Sequence, residues 1–363
     1  MRVVTTLPSI TPAYAEQPAG TPWPTTSWPD GTASNLDELL SVIDEGIADP
    51  GLGETRAVLV IKNGRIIAER YHGEIPFFDR PSEPVTAETT QISWSMAKSM
   101  VAHIVGVLVD QGRLDPAARA QVPEWSDPSD PRHAITLADL LAMRDGLNFS
   151  EEYDVNSGSD VITMLFGEGA RDMAAFTANK PLAHAPGTQW NYSSGTTNII
   201  SRIVADVVGY GAAYESFLRD HLFGPLGMKS ATPKFDPTGV FVASSYVYAT
   251  ARDFAKFGLL YLRGGEWNGT RLVSRRWTDT AQIPHSADEE SGTFYSWQWW
   301  VTGDEFGSYW ANGFEGQSIT VVPALDAVVV RLGKTDAEYY PALRAWRARL
   351  LRALSSTEVQ SAP

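Results

Sequence analysis

The amino-acid sequence predicts an α+β fold, in which one antiparallel sheet is flanked by helices and an all-helical lobe is inserted within the sheet's sequence. Three observations support this prediction. Residues 57–71 form two β-branched runs around an Asn-Gly pair, which is typical of a β-hairpin. Three strand-like stretches, at residues 292–303, 308–323 and 326–334, lie near the other end of the chain. Helical periodicity dominates from about 95 to 210, so strands from both ends can pair in one sheet.

Composition divides the chain into an arm and two lobes. Residues 1–35 are rich in Pro, Thr and Ser, and we expect an extended arm that Trp23 and Trp28 anchor on the body. At 363 residues the chain can bury the core of one large domain or of two closely joined ones. We expect the sheet domain at residues 36–90 and 251–363, and the mainly helical lobe at residues 91–250.

Caps and glycines place the ends of individual elements. A first helix is predicted at residues 36–47, and Lys62-Asn63-Gly64-Arg65 supplies the tight turn of the hairpin. For a helix at residues 135–147, Thr136 is the predicted N-cap and Gly146 the stop. Further helices are predicted at residues 196–211, 249–265 and 341–356, the last of them amphipathic.

Composition also excludes several classes of function. The formal net charge of −14 argues against nucleic acid and against an anionic membrane surface as partners. The chain has no cysteine, which excludes disulfides, thiolate metal sites and cysteine nucleophiles. Its six histidines form no close metal-binding pair, and no glycine-rich phosphate loop occurs. We therefore expect no metal and no cofactor.

The sequence shows no segment typical of membrane insertion. No apolar run approaches the roughly 18 residues of a membrane helix. Thr, Pro and Ser interrupt the apolar part of the first 17 residues, which favours a tail over a secretory peptide. We expect a cytoplasmic protein, and the sequence does not indicate an oligomeric state.

The most informative stretch is Ser95-Met96-Ala97-Lys98, at the start of an amphipathic helix. Three residues make nearly one helical turn, so the side chains of Ser95 and Lys98 lie on the same side. An amine next to a hydroxyl at a helix N-terminus can activate serine without histidine. An isolated tetrad of this kind more often has a capping serine and a solvated lysine. Lys98, however, is the only Lys or Arg between Gln91 and Gln111, in a helix apolar enough to be buried.

Two further segments carry groups suited to acyl transfer. Tyr192 lies in a loop directly before a helix, where its hydroxyl can relay protons if a neighbouring cation lowers its pKa. Ser194 in the same loop can equally be a helix cap. Residues 312–317 contain two glycines beside a strand, which permits close backbone approach. A main-chain N–H there would form an oxyanion hole with that of Ser95, although a simple bulge explains the pattern equally well.

Taken in order, these segments resemble the serine β-lactamase and penicillin-binding superfamily, of which Ser-x-x-Lys is characteristic. Tyr192 is typical of the class C branch and its esterase relatives. The wider match is to the nylon-oligomer (6-aminohexanoate-dimer) hydrolases, over SWSMAKS, ITLADLLAMRDGLNFSEEYD, WNYSSGTTNII, YATARDFAKFGLLYLRGG, QWWVTG and GFEGQS. The resemblance spans roughly residues 36–335. It implies a β-lactamase/transpeptidase-like fold with the active site in the cleft between a sheet domain and a helical domain.

The resemblance also implies roles for individual residues. Ser95 is the expected nucleophile, which is acylated and then freed by water. Lys98 is the expected general base, sharing protons with Tyr192. The expected oxyanion donors are the N–H groups of Ser95 and Phe314. The residues expected to bind substrate are Tyr153, Trp300, Gly313 and Glu315.

Two departures from the class C pattern bear on the substrate. Tyr-x-Asn is replaced by Tyr192-Ser193-Ser194, and Lys-Thr-Gly by Ala311-Asn312-Gly313. Lys334-Thr335-Asp336 looks like the missing motif but follows the next strand and lacks the glycine. Because the strand lysine helps to hold the carboxylate of a β-lactam, its absence predicts neutral or cationic acyl groups instead.

The sequence therefore predicts a cofactor-independent serine hydrolase that cleaves small-molecule amides or esters through an acyl-enzyme. The alternative within the same superfamily is a β-lactamase or a D-alanyl-D-alanine carboxypeptidase. The alternative from another class is a non-catalytic binding or sensor module on the same scaffold, against which intact Ser95, Lys98 and Tyr192 argue. The absence of a Gly-x-Ser-x-Gly motif argues against a typical α/β-hydrolase.

Overall fold

The centre of the protein is an antiparallel sheet of eight strands. A computed structural model describes residues 7–77, 79–154, 156–289 and 291–359. The strands of this sheet, numbered along the chain, are β1 (Glu54–Lys62), β2 (Arg65–Tyr71), β3 (Ser286–Asp288), β4 (Thr293–Tyr295), β5 (Trp300–Val301), β6 (Tyr309–Asn312), β7 (Ser318–Val322) and β8 (Ala327–Lys334). They lie side by side in the order β3-β4-β5-β6-β7-β8-β1-β2. The N-terminal hairpin and the C-terminal strands therefore form one sheet, as the sequence predicts, and β1 pairs with β8.

The two ends of the sheet differ in how well the sequence predicts them. Asn63 and Gly64 form the predicted hairpin turn with φ of +52° and +73°, a conformation that these two residue types adopt most readily. The C-terminal part supplies six strands rather than the predicted three. Two of the predicted stretches each divide at a turn, and β3 precedes them.

Helices are concentrated between β2 and β3. The α-helices of the described residues are α1 (Leu36–Ala48), α2 (Met96–Asp110), α3 (Leu137–Leu141), α4 (Asp160–Phe166), α5 (Met173–Ala178), α6 (Ser194–Val208), α7 (Ala212–Leu218), α8 (Gly224–Leu226), α9 (Ala251–Leu262), α10 (Arg275–Asp279) and α11 (Tyr340–Ser355). Short paired strands complete the fold at Ala33–Ser34 with Glu358–Val359, Glu74–Ile75 with Glu83–Pro84, and Glu266–Trp267 with Thr270–Arg271. In a further small sheet, Val247–Ala249 lies between Gln91–Ile92 and Thr232–Pro233.

The sheet buries both of its faces. Val58 and Val60 of β1 pack with α1 and α11, whereas Leu59 and Ile61 face the larger core that contains α2 and α9. This alternation follows from the two-residue period of a strand. In α2, every residue from Met96 to Leu108 is buried. Burying a Val, Leu or Ile side chain stabilises the fold by about 1.5–3 kcal/mol, so this packing fixes the helix that begins after Ser95.

One predicted helix is much shorter than expected. Thr136 caps α3 as predicted, because its side chain accepts from Asp139 N while Asp139 accepts from Thr136 N. The helix nevertheless ends at Leu141, so the prediction of a helix to residue 147 is wrong. Met143 has φ of +55°, which breaks the helix before Gly146 is reached.

The N-terminal segment lies on the body through its tryptophans. Trp23 packs on Trp267 with ring centroids 5.0 Å apart, and Trp28 Nε1 donates to the Arg252 carbonyl at 3.0 Å. The division into an arm and two domains stays a prediction. None of the helices in the described ranges combines the length and the apolarity that a membrane span requires.

Candidate active site

Ser95 and Lys98 meet at the buried N-terminus of α2. Lys98 Nζ donates to Ser95 Oγ at 3.0 Å. Both residues are buried, because Ser95 is 7 % exposed and Lys98 is 1 % exposed. Ser95 makes no side-chain capping hydrogen bond to the helix. The pair is therefore neither a capping serine nor a solvated lysine, and its two reactive groups face each other.

Lys98 is held by two further acceptors. Its Nζ donates to Ser194 Oγ at 2.9 Å and to the Ser244 carbonyl at 3.1 Å. Burial lowers the pKa of Lys98 to about 8, and the negative charge of Glu151 partly opposes this shift. A pKa near 8 leaves part of the amine unprotonated close to neutral pH, which a general base requires.

Glu151 is a member of the site that sequence analysis missed. Its carboxylate accepts from Ser194 Oγ at 2.5 Å, from Ser194 N at 2.8 Å and from Tyr153 Oη at 2.6 Å. The cap of α6 is Ser193, whose Oγ accepts from Thr196 N at 2.9 Å. Ser194 is thus not the cap, and it links the ammonium of Lys98 to a carboxylate. The sequence contains adjacent glutamates, Glu151 and Glu152, and no pattern distinguishes them.

Tyr192 stands beside the same pair. Its ring centroid lies 4.9 Å from Lys98 Nζ, and the ring packs on Trp300 at 5.5 Å and on Tyr295 at 5.8 Å. Burial raises the pKa of Tyr192 well above its ordinary value, Glu151 adds to the rise, and the Ser95 hydroxyl only partly opposes it. A hydroxyl that acts as a base needs a lowered pKa, and that of Tyr192 is raised instead. Tyr192 is therefore a neutral phenol.

The predicted oxyanion donors lie on two segments that approach closely. A Cβ at Gly313 would lie 2.4 Å from the Ser93 carbonyl, so only glycine allows the end of β6 to come this near to the Ser95 segment. Gly313 N donates to the Gln317 carbonyl at 2.8 Å, which closes the turn. Within the described residues, neither Ser95 N nor Phe314 N has a hydrogen-bond acceptor. Both N–H groups are available to a ligand.

The turn that carries Phe314 is braced from behind. Glu315 has φ of +60°, and its carbonyl accepts from Arg331 Nη1 at 2.9 Å and from Thr335 N at 3.0 Å. Its carboxylate accepts from Trp94 Nε1 at 3.1 Å, which ties the turn to the residue before Ser95. Thr335, which belongs to the Lys334-Thr335-Asp336 segment, therefore supports the turn. Glu315, which we expected to bind substrate, positions Trp94 and does not line the cleft described next.

A cleft of about 640 Å³ opens beside these residues. Three of the residues predicted to bind substrate, Tyr153, Trp300 and Gly313, line this cleft, and their role in binding stays a prediction. Ser95, Lys98 and Tyr192 are not among the residues that line it. Tyr192 packs on Trp300, and Tyr153 stacks on Phe314 at 4.5 Å. Further lining residues that sequence analysis did not assign to the site include Trp310, Tyr340, Arg344 and Arg347.

Comparison with known proteins identifies the family. The sequence profile described as Beta-lactamase matches residues 50–354. The chain belongs to the β-lactamase family. Within this family, the chain is 29 % identical over 324 residues to the 6-aminohexanoate-dimer hydrolase of Paenarthrobacter ureafaciens. The aligned region covers 84 % of this chain and 76 % of that hydrolase. The resemblance inferred from the sequence is thereby confirmed.

Other relatives agree with this placement. Esterase EstB of Burkholderia gladioli is 29 % identical over 223 residues, which is 55 % of this chain and 53 % of the esterase. The solved structure of a family VIII carboxylesterase superposes with a TM-score of 0.67 at 16 % identity, over 89 % of this chain and 97 % of that one. The predicted fold class is confirmed, and the protein is a serine hydrolase of the β-lactamase family.

Proposed function

We propose that the protein hydrolyses small amides or esters through an acyl-enzyme on Ser95, with Lys98 as general base and Tyr192 as general acid. The observation that carries this proposal is the 3.0 Å contact between Lys98 Nζ and Ser95 Oγ. It is made by a lysine whose pKa burial lowers to about 8. Membership of the β-lactamase family supports the assignment of Ser95 as the nucleophile.

Acylation begins with proton transfer between the two residues. The unprotonated amine of Lys98 takes the hydroxyl proton of Ser95 as Oγ attacks the substrate carbonyl. The ammonium that forms is stabilised in place, because Ser194 Oγ and the Ser244 carbonyl accept its other protons. The negative charge that develops on the substrate oxygen is stabilised by the N–H groups of Ser95 and Phe314. One such donor typically raises kcat by roughly 10²–10³-fold.

Tyr192 completes the proton path in this proposal. Because burial keeps its phenol protonated, it can donate a proton to the leaving nitrogen or oxygen as the carbonyl–heteroatom bond breaks. The ammonium of Lys98 then returns a proton to the phenol. Water hydrolyses the acyl-enzyme by the reverse path, losing its proton to Lys98 and restoring the Ser95 hydroxyl.

The pH dependence of kcat/KM tests Lys98 as the base. Since the free amine is the reactive form, kcat/KM should rise with pH through about 8, the pKa of Lys98. The charge of Glu151 raises that pKa, so Glu151→Gln should move the rising limb to lower pH. The matched control is Glu152→Gln, the same change at the exposed neighbour, which should leave the limb in place. A limb that stays fixed in Glu151→Gln contradicts this account of the base.

The cleft and the relatives together support a substrate class. Its lining includes the aromatic side chains of Tyr153, Trp300, Trp310 and Tyr340, which suit apolar chains or rings. Two relatives are named as a 6-aminohexanoate-dimer hydrolase and an esterase. We propose that this chain likewise takes short amides or esters. Esters are the easier acyl donors and should be the faster substrates.

β-Lactams should be poor substrates. Their carboxylate is attached next to the lactam nitrogen and needs a cation close to the scissile bond. Ala311 and Asn312 occupy the strand positions of the usual Lys-Thr pair, and leaving a buried carboxylate unpaired costs several kcal/mol. We expect kcat/KM for a chromogenic cephalosporin to lie far below that for p-nitrophenyl butyrate on one preparation. A cephalosporin value equal to or above the ester value would favour the β-lactamase or carboxypeptidase alternative.

A covalent probe separates the enzyme from a non-catalytic binding or sensor module. Intact-mass analysis after treatment with a fluorophosphonate should show one adduct, and peptide mapping should place it on Ser95. Turnover of a panel of short acyl esters should accompany it. No adduct and no turnover would support the binding module.

A cytoplasmic location is a separate proposal, which fractionation of expressing cells tests.

A further inference from the structure

Two residues that flank the predicted oxyanion donors have positive φ. Trp94 precedes Ser95 and has φ of +44°, and Glu315 follows Phe314 and has φ of +60°. Positive φ is uncommon outside glycine, above all for a bulky side chain, because the Cβ atom then crowds the backbone. Such a backbone persists only where surrounding contacts hold it, and it is concentrated at functional sites. Contacts, rather than local preference, therefore fix the chain beside both donors.

Three contacts join these two parts of the chain. The backbones approach closely, since a Cβ at Gly313 would lie 2.4 Å from the Ser93 carbonyl. The rings of Trp94 and Phe314 meet edge to face with centroids 5.7 Å apart. Trp94 Nε1 donates to the Glu315 carboxylate at 3.1 Å. This last contact is a directional hydrogen bond, and it joins the two residues that have positive φ.

The main chain of Glu315 is anchored independently of its side chain. Its N–H donates to Tyr340 Oη at 3.1 Å, and its carbonyl accepts from Arg331 Nη1 at 2.9 Å and from Thr335 N at 3.0 Å. Arg331 is 1 % exposed, and a Cβ at Gly316 would lie 2.5 Å from its Nη1, so glycine leaves the room that the guanidinium occupies. With its backbone held in this way, the Glu315 side chain can fix the position of Trp94.

An oxyanion hole needs both of its N–H groups to converge on one oxygen, at about 2.7–3.1 Å from it. We propose that Trp94 and Glu315 are positioning residues, and that the hydrogen bond between them sets the spacing of the Ser95 and Phe314 N–H groups. This role rests on the proposed hydrolase function and adds the residues that place its oxyanion hole. It also accounts for a glutamate at position 315, where glycine or asparagine would adopt positive φ more readily.

Two amide side chains at position 315 separate this role from a purely structural one. Glu315→Gln keeps the length of the side chain and an oxygen that accepts from Trp94 Nε1, so kcat for p-nitrophenyl butyrate should stay within roughly threefold of wild type. Glu315→Asn suits positive φ better but is one methylene too short. Its kcat should fall roughly 10- to 100-fold with KM close to the wild-type value, because acylation and deacylation both form the oxyanion. A purely structural turn would favour asparagine over glutamine instead.

Replacing the donor tests the other half of the hydrogen bond. Trp94→Phe removes Nε1 and should lower kcat by a similar factor. In the double variant with Glu315→Asn the two losses should not multiply, because both changes remove the same hydrogen bond. Trp28→Phe is the matched control, since Trp28 Nε1 donates to the Arg252 carbonyl at 3.0 Å and joins the N-terminal segment to the body. This variant should keep the wild-type kcat. Circular dichroism reports whether each variant folds, and the two changes at position 315 decide the role if Trp94→Phe does not.

The outcomes distinguish failure of the positioning role from failure of the hydrolase function. If wild type hydrolyses the ester and Glu315→Asn keeps its kcat, the positioning role is wrong and the hydrolase function stands. The same holds if Glu315→Gln loses as much activity as Glu315→Asn. If wild type neither hydrolyses esters nor reacts with a fluorophosphonate, the hydrolase function fails, and the positioning role fails with it.

Discussion

Replacing Ser95 with alanine should abolish ester hydrolysis and leave the fold intact. We expect kcat/KM to fall on the order of 10⁴-fold or more, because losing the nucleophile removes covalent catalysis. Lys98 keeps two acceptors in this variant, Ser194 Oγ at 2.9 Å and the Ser244 carbonyl at 3.1 Å. Its buried ammonium is therefore not left unpaired, and the thermal unfolding transition should stay close to that of wild type. Initial rates and circular dichroism measure the two effects.

Ser99 provides a matched control for this prediction. It lies one turn further along α2, is buried, and donates to the Gln298 carbonyl at 2.7 Å. Ser99→Ala leaves the Gln298 carbonyl unpaired, so the free energy of unfolding should fall by about 1–3 kcal/mol. The variant should keep the turnover of the wild type. A fluorophosphonate should label wild type and Ser99→Ala but not Ser95→Ala. Comparable turnover by purified Ser95→Ala would show that the nucleophile is another residue.

Local geometry explains what the sequence predicts well. The pairing of Ser95 with Lys98 follows from a helical period of 3.6 residues and from the apolar sequence around it. The hairpin turn follows from the preference of Asn63 and Gly64 for positive φ. Both predictions use residues that are close in the sequence, where backbone geometry alone determines which side chains meet.

Contacts between distant residues explain what the sequence does not predict. Glu151 and Ser194 are 43 residues apart, and only the packing of α6 decides that Glu151 rather than Glu152 reaches the site. Arg347 belongs to an amphipathic helix whose charged side is typical of solvent exposure. Its place over Trp310 depends on how α11 crosses the sheet. Family resemblance supplies the roles of the shared residues. It assigned no role to Glu151, which lies within the quoted stretch of residues 135–154, or to Arg347, which lies beyond the residues that the resemblance spans.

Lys98 and Tyr192 should act as one unit in proton transfer. We expect Lys98→Ala and Tyr192→Phe each to lower kcat/KM by roughly 10²–10⁴-fold, the usual range for general acid–base groups. The double variant should lose little more than the worse single variant, because each residue passes its proton to the other in the proposed path. A double-mutant cycle on a single ester measures this coupling directly.

The matched control for Tyr192→Phe is Tyr295→Phe. Tyr295 packs against Tyr192 at 5.8 Å, and its buried hydroxyl has no hydrogen-bond partner within the described residues. Removing that hydroxyl should leave kcat/KM close to the wild-type value, so any large effect at Tyr192 comes from its own hydroxyl rather than from disturbed aromatic packing. A double variant whose loss equals the product of the two single losses would show that Lys98 and Tyr192 act independently. Lys98 would then stay the base, and the proton for the leaving group would have to come from another donor.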